Sequence, residues 1–300
     1  MVVNWTGAES KPDEAKHMND KQIEKTFPRI GQIHFSNCLP INLPIKNGTV
    51  EMQGQFIDRV PNDLNKLIMA GELDVSAVSL FCYLNSQDLT LVPGLSVASL
   101  GPVGSVLFFY EGDLKDLGSE PLLVPDSSAT SINLLSIILH DETGSIPDFV
   151  REKRPDIENS TARGALIIGD DALKVDGRWS SKYNRIDLGK WWHDRYNLPM
   201  VFGVWAARAE FASKHPDLYA EIVNGLNQAR DIGLSQMLEE VVDEASKHML
   251  IDKSRVRKYF LEELDYNLGD EHRKSIDLYR RRCEELSLLN TITSGQNAGR

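Results

Sequence analysis

Residues 121–139 constrain this chain more than any other stretch. Pro121 to Pro125 is an apolar run, Asp126-Ser127-Ser128-Ala129-Thr130-Ser131 is a hydroxyl-rich turn, and Ile132 to Leu139 is apolar at helical spacing. The pattern predicts strand, turn, helix. The first amides of a helix lack intrahelical partners, and the helix dipole adds partial positive charge there. Such a turn suits a carboxylate or phosphate. An ordinary N-cap after a strand accounts for the same residues. A second polar turn, Ser36-Asn37-Cys38, also follows a strand-like run and lies far away in sequence.

The rest of the chain extends the α/β pattern. Strands are predicted at Ile30 to Phe35, Val50 to Phe56, Val75 to Leu80 and Ser105 to Tyr110, then at Leu122 to Val124, Ala165 to Ile168 and Met200 to Trp205. Leu64, Leu67 and Ile68 form an apolar stripe after Pro61, and Gly71 ends that helix. From Arg208 onward the chain reads as almost all helix: Pro216 to Leu234, Leu238 to His248, Asp252 to Leu264 and Asp270 to Leu288. The strands fall into two groups, split near Gly112 and again near Val204. That arrangement predicts a two-lobed α/β protein. Residues 28–112 and 204–289 form lobe 1, 113–203 form lobe 2, 1–27 form a mobile tail and 290–300 a polar tail. In such folds the ligand sits in the cleft between lobes, beside strand ends and helix N-termini.

Composition narrows the partners. The 300 residues carry a net charge of −11, which argues against nucleic acid or an anionic membrane surface. A small anion stays open, because a pocket can be locally positive. Cys38, Cys82 and Cys283 have no CxxC or zinc spacing and read as reduced thiols of a cytoplasmic protein. No metal is assigned, since His34 and His193 lack ligand-spaced partners. Residues 1–27 have no apolar core, so they do not read as a secretory signal. A homodimer is left open.

Five segments converge on the predicted cleft. Ser36 and Asn37 stand at a strand end, where Asn37 offers an amide donor and acceptor or merely serves the turn. Ser79 points into the cleft or ends its strand. Gly101-Pro102-Val103-Gly104-Ser105 allows close backbone approach to a ligand, with Ser105 as donor, or is a plain entry into a strand. Ser128, Thr130 and Ser131 form the hydroxyl-rich turn. Gly169 and Asp170 follow a strand, and Asp170 is a base, a hydroxyl-orienting group or a cap. Trp191-Trp192 reads as an aromatic helix face, and Arg280-Arg281-Arg282 as a solvated one.

Taken together, Ile30-Gly31-Gln32-Ile33 running into Asn37-Cys38-Leu39-Pro40, Gly71-Glu72-Leu73-Asp74, Gly101 to Val106, Ser128 to Ser131, Ile168 to Leu173, and Leu198-Pro199 with Val201, Phe202 and Trp205 resemble the chorismate dehydratase family. That family serves the futalosine route of menaquinone biosynthesis, and the likeness runs from about Arg29 to Leu289. It is similar to a sister family, 1,4-dihydroxy-6-naphthoate synthase, which opens on a Ser-Pro-Cys-Pro-Asn-Asp type segment. This chain has Ser36-Asn37-Cys38-Leu39-Pro40 there. The resemblance implies a type 2 periplasmic-binding-protein fold, chorismate as substrate, no cofactor, and loss of water to give 3-[(1-carboxyvinyl)oxy]benzoate. It places Asn37 and Ser105 in the pocket, orienting the leaving hydroxyl, and allows the substrate's own enolpyruvyl carboxylate to take the proton, with Asp170 as the protein alternative. Ser128, Thr130 and Ser131 would then hold one carboxylate, and Ser36, Ser79 and Gly169, by their strand-end positions, are further binding candidates. A non-catalytic binder of a small anion and the sister synthase are the competing readings.

Overall fold

The computed structural model describes residues 27–119 and 121–289. The tail at 1–26 and the polar tail at 290–300 lie outside the described residues. The chain begins with β1 (Arg29–Ile33), a 3-10 turn at Ser36–Cys38 and α1 (Leu39–Lys46), followed by β2 (Gln55–Arg59), α2 (Pro61–Met69), β3 (Val75–Ser79), α3 (Leu80–Leu84) and the long β4 (Leu89–Ser99). It then crosses to a second sheet through β5 (Val106–Tyr110), β6 (Leu122–Pro125), α4 (Ala129–Thr143), β7 (Phe149–Glu152), β8 (Gly164–Ile168), α5 (Gly169–Trp179), β9 (Asn184–Asp187) and α6 (Leu188–Tyr196). It returns as β10 (Met200–Arg208). The remainder is helical: α7 (Ala209–Lys214), α8 (Pro216–Gly233), α9 (Leu238–Met249), α10 (Lys253–Lys258) and α11 (Asp270–Glu285).

The first sheet has the order β2-β1-β3-β10-β4 and the second β7-β6-β8-β5-β9. In each, four strands run in the same direction and the strand arriving from the other lobe is antiparallel to them: β10 against β3 and β4, and β5 against β8 and β9. Strand pairing moves the predicted lobe boundaries. Val106–Tyr110 belongs to the second sheet and Met200–Arg208 to the first, so the crossings fall at 100–105 and 197–199 rather than at 112 and 203. The physical cause is that an apolar strand looks alike in either sheet, and only its ladder partners decide.

Three further differences concern single elements. The sequence reading contains no strand at Leu89–Ser99, because Pro93-Gly94 looks like a turn. The structure absorbs the pair in a bulge: Val204 pairs with Ser96 but Ala206 with Leu91. Proline, which lacks a ladder donor, sits where none is needed. The predicted second strand, Val50 to Phe56, lies at Gln55–Arg59 instead. Arg282 is not a purely solvated residue, since its guanidinium bonds Asp141 across from α4.

The head of the first sheet is clamped by a charge fork. The Asp74 carboxylate accepts from the Arg29 amide at 2.8 Å, Nε at 3.1 Å and Nη2 at 2.8 Å. Burial works to raise the Asp74 pKa, but the Arg29 hydrogen bonds and charge outweigh it and hold it below the usual carboxylate range. A lowered folded pKa means stabilisation that is present at neutral pH and is lost as pH falls through that value. Asp74→Asn is expected to cost about 1 kcal/mol at pH 7, discounted because Arg29 is partly exposed. The difference from wild type should shrink in acid, as read by thermal melts across pH.

Candidate active site

Each lobe contributes a polar turn to the seam. On the first lobe β1 delivers Ser36–Cys38, closed by the Cys38 amide on the Phe35 carbonyl at 3.0 Å. Two prolines shape the helix that follows. Pro40 sits in the first turn of α1, where a missing amide costs nothing. Pro44 lies inside and has no amide to give the Pro40 carbonyl four residues back. That carbonyl faces Gly233 of α8, whose missing side chain admits it: a Cβ there would lie 1.8 Å from the Pro40 oxygen. The close α1–α8 packing fixes the turn that carries Asn37.

On the second lobe β8 ends at Gly169, which turns into α5 with φ +59°. The Gly169 amide donates to the Ser105 carbonyl at 2.6 Å. Asp170 then meets the first lobe: Ser36 Oγ donates to its Oδ2 at 2.9 Å, and His248 Nε2 stands 3.5 Å from the same oxygen. Its other oxygen, Oδ1, is buried without a hydrogen-bond partner among the described residues, as is Oδ1 of Asn37. Burial raises the Asp170 pKa, opposed by the Ser36 hydrogen bond and by the His248 and Lys174 charges. Cys38 is fully buried, and burial with the nearby Asp170 charge pushes its thiol up to about 12. It stays protonated and is no nucleophile.

Ser105 lies at the crossing between sheets and is nearly buried. Its Oγ accepts from the Tyr259 phenol at 2.9 Å. The crossing is pinned by Asp187, whose carboxylate accepts from the Val103 amide at 3.0 Å and the Gly104 amide at 2.8 Å. The same carboxylate caps α6 through the Lys190 amide at 3.0 Å. The local sequence shows Asp187 only as a helix cap, because the two amides that make it a pin for the crossing lie over eighty residues away.

The remaining predicted residues divide. Ser79 is the N-cap of α3, accepting from the Cys82 amide and the Asn65 amide nitrogen, each at 3.1 Å. Thr130 Oγ1 accepts from the Phe81 amide at 3.0 Å, joining α3 to the start of α4. Both oxygens accept hydrogen bonds that hold α3. Ser128 does not cap α4. It donates to Ser131 Oγ at 2.8 Å, which leaves the first-turn amides of α4 without a side-chain cap.

A cleft of about 620 Å³ opens along the seam. His34, Phe35, Asn62 and His248 line it from the first lobe, and Ser127, Asp170, Lys174, Arg178, Lys153 and Arg154 from the second. Asn37 and Ser105 do not line this cavity. They are tied to its wall through Ser36–Asp170 and through Gly169. Arg178 is engaged with Glu158 at 2.9 Å and Lys174 with Asp171 at 3.9 Å, whereas Lys153 and Arg154 form no ion pair among the described residues. The sequence reading missed these two cations, because Lys153-Arg154 follows an edge strand that it did not predict. No group of described His, Cys, Asp and Glu residues is arranged to hold a metal ion.

A family model described as "Menaquinone biosynthesis" matches residues 28–285. The chain belongs to that family. It is 34% identical over 266 residues to the chorismate dehydratase of Thermus thermophilus, covering 83% of this chain and 93% of that protein. It is 25% identical over 264 residues to the chorismate dehydratase of Campylobacter jejuni, covering 86% and 98%. The 1,4-dihydroxy-6-naphtoate synthase of Thermus thermophilus aligns over a shorter stretch, 26% identical over 193 residues, covering 62% of this chain and 65% of that one. In fold, the protein resembles AF1704 from Archaeoglobus fulgidus, with TM-score 0.67, 17% identity and coverage of 87% and 98%. The alkanesulfonate-binding protein SsuA from Xanthomonas axonopodis pv. citri, bound to MOPS, gives TM-score 0.63, 13% identity and coverage of 88% and 94%. The expected periplasmic-binding-protein-like architecture is borne out.

Proposed function

We propose that the protein is a chorismate dehydratase of menaquinone biosynthesis, removing water from chorismate to give 3-[(1-carboxyvinyl)oxy]benzoate. The observation that carries this is the alignment with two chorismate dehydratases along nearly their whole length. The seam geometry supports it. Chorismate carries two carboxylates, an enolpyruvyl ether and a ring hydroxyl. Removing the C3 proton and the C4 hydroxyl makes the ring aromatic, so the chemistry draws its driving force from the substrate and calls for no cofactor.

The chain's residues then have to hold, orient and exclude water. One carboxylate is assigned to the uncapped first turn of α4 with Ser128 and Ser131. The unpaired cations Lys153 and Arg154 at the cleft attract the dianion. Asn37 and Ser105, which lie behind the cleft wall in this structure, reach the ring and the leaving hydroxyl when the lobes close on the substrate. The C3 proton passes to the substrate's own enolpyruvyl carboxylate, the C4 hydroxyl departs as water with one proton, and the books balance as loss of one H₂O. The work is assigned to the cytoplasm, in keeping with three unpaired cysteines. No described helix is long and apolar enough to cross a membrane.

Asp170 is the alternative proton acceptor, and its variant discriminates. Asp170→Asn is expected to keep turnover within about tenfold, because the substrate supplies the base; a loss of 10³ or more would make Asp170 the base instead. The stability effect has the opposite sign to that of Asp74. A raised folded pKa means that the charged carboxylate is penalised in the native state at neutral pH. The Asn variant should therefore melt higher at pH 7–8, with the gain fading as pH falls through the raised value. Turnover and melting curves on the same samples check both.

The sister synthase reaction is disfavoured by the shorter alignment and by the Ser36-Asn37-Cys38-Leu39-Pro40 opening. Purified protein incubated with chorismate, followed by absorbance and mass, separates the dehydratase from a non-catalytic binder.

A further inference from the structure

The C-terminal segment between Lys253 and Leu268 reaches the seam by an uncommon route. After α10 the helix widens into a π-helical turn, Tyr259–Glu263, closed by the Leu264 amide on the Tyr259 carbonyl at 3.0 Å. Such turns recur at functional sites, because the wider turn re-aims the side chains it carries. Beyond it, Asp265 exchanges both backbone hydrogen bonds with Ala98 of β4 at 2.8 Å, and its carboxylate meets His272 at 2.8 Å. The segment is thereby strapped to the first sheet. Two buried tyrosines on it reach the two residues assigned to act on substrate. Tyr266 donates to the Asn37 carbonyl at 2.7 Å, and Tyr259 to Ser105 Oγ at 2.9 Å.

We propose that Tyr259 is a positioning residue for the dehydration, donating to Ser105 Oγ so that the single Ser105 proton is left for the substrate. This rests on the chorismate dehydratase reading. A serine hydroxyl has one proton and two lone pairs. Once Tyr259 fills one lone pair, the Ser105 proton must point elsewhere. The hydrogen bond runs from the Tyr259 phenol to Ser105 Oγ at 2.9 Å, and burial, with the Asp170 charge adding to it and the Ser105 bond opposing it, holds the phenol well above its ordinary pKa. The phenol therefore keeps the proton that it can donate. Without it, the Ser105 hydroxyl is free to rotate and to spend its proton on other acceptors.

The test is a double-mutant cycle in the full chain, with steady-state kinetics on chorismate and a thermal melt of each variant. Tyr259→Phe is expected to lower kcat on the order of tenfold, the scale of one hydrogen bond, with KM within about twofold. Added to Ser105→Ala it should cause no further loss of kcat, since the group it orients is gone. The same loss in both backgrounds would assign Tyr259 a purely structural role and overturn the proposal, as would an unchanged kcat in the single variant. Should Tyr259→Phe melt below the assay temperature, fluorotyrosine at position 259 keeps the shape and alters the phenol's donor strength. A kcat change confined to proteins retaining Ser105 supports the role, and no change overturns it. Wild-type protein that leaves chorismate intact would sink the functional reading itself, and this role with it.

Discussion

Ser105→Ala is expected to lower kcat on chorismate about 10²–10³-fold, the scale of losing one preorganised donor in a water-excluded site. The hydroxyl stands where the chain crosses between the sheets, so both lobes fix it. The Asp187 carboxylate pins the two preceding residues through their amides. The Gly169 amide holds the Ser105 carbonyl at 2.6 Å. A donor held this rigidly needs little reorganisation when charge develops on the departing oxygen. The variant should stay folded, because deleting one oxygen leaves the Tyr259 phenol short of an acceptor at a cost of about 1 kcal/mol. Kinetics on the folded variant, with circular dichroism to confirm the fold, read the effect. A loss smaller than threefold would remove Ser105 from the chemistry.

Among the described glycines, Gly233→Ala should give the largest stability loss. The new Cβ would sit 1.8 Å from the Pro40 oxygen and 2.6 Å from its carbonyl carbon. Both are backbone atoms, so no side chain can swing aside, and α8 must move off α1. Overpacking of this kind costs about 3 kcal/mol, a fall of roughly 5–10 °C in melting temperature. Gly177→Ala is the control: it lies within α5 and its Cβ would meet nothing within 4 Å. Removing that helical glycine should be neutral or stabilising by about 1 kcal/mol. Because α1 follows directly on the Asn37 turn, folded Gly233→Ala should also lose activity, whereas the control should not. Equal melting temperatures for the two variants would contradict the packing described here.

Most of the architecture was legible because parallel strands and amphipathic helices write their periods into local sequence. The strand, turn and helix at residues 121–139, the Pro61 helix start and the late helices appear close to where the pattern puts them. The failures share one cause, namely that a distant partner overrides a local signal. Pro93-Gly94 reads as a turn, yet β10 carries the strand through it as a bulge. Pro40 and Pro44 obscure a helix that α8 stabilises. Val106–Tyr110 has no local mark saying which sheet it joins. The site follows the same rule. Ser36, Asn37, Ser105 and Asp170 read as polar residues at strand ends, and they lie along one seam, Asn37 and Ser105 behind the cleft wall. Ser79 and Thr130 carry similar hydroxyls, whose oxygens accept from amides of α3, contacts that only the three-dimensional partners reveal. Tyr259, Tyr266, Asp187 and His248 escaped notice, because each becomes informative only through a contact made far along the chain.

The central claim is tested most directly by incubating the purified full chain with chorismate and following absorbance and mass together. The account predicts an aromatic product lighter than chorismate by one water, identified as 3-[(1-carboxyvinyl)oxy]benzoate, with formation nearly abolished by Ser105→Ala. Chorismate recovered unchanged would contradict it. A substrate-induced rise in melting temperature without turnover would then leave a protein that closes on a small dianion without transforming it.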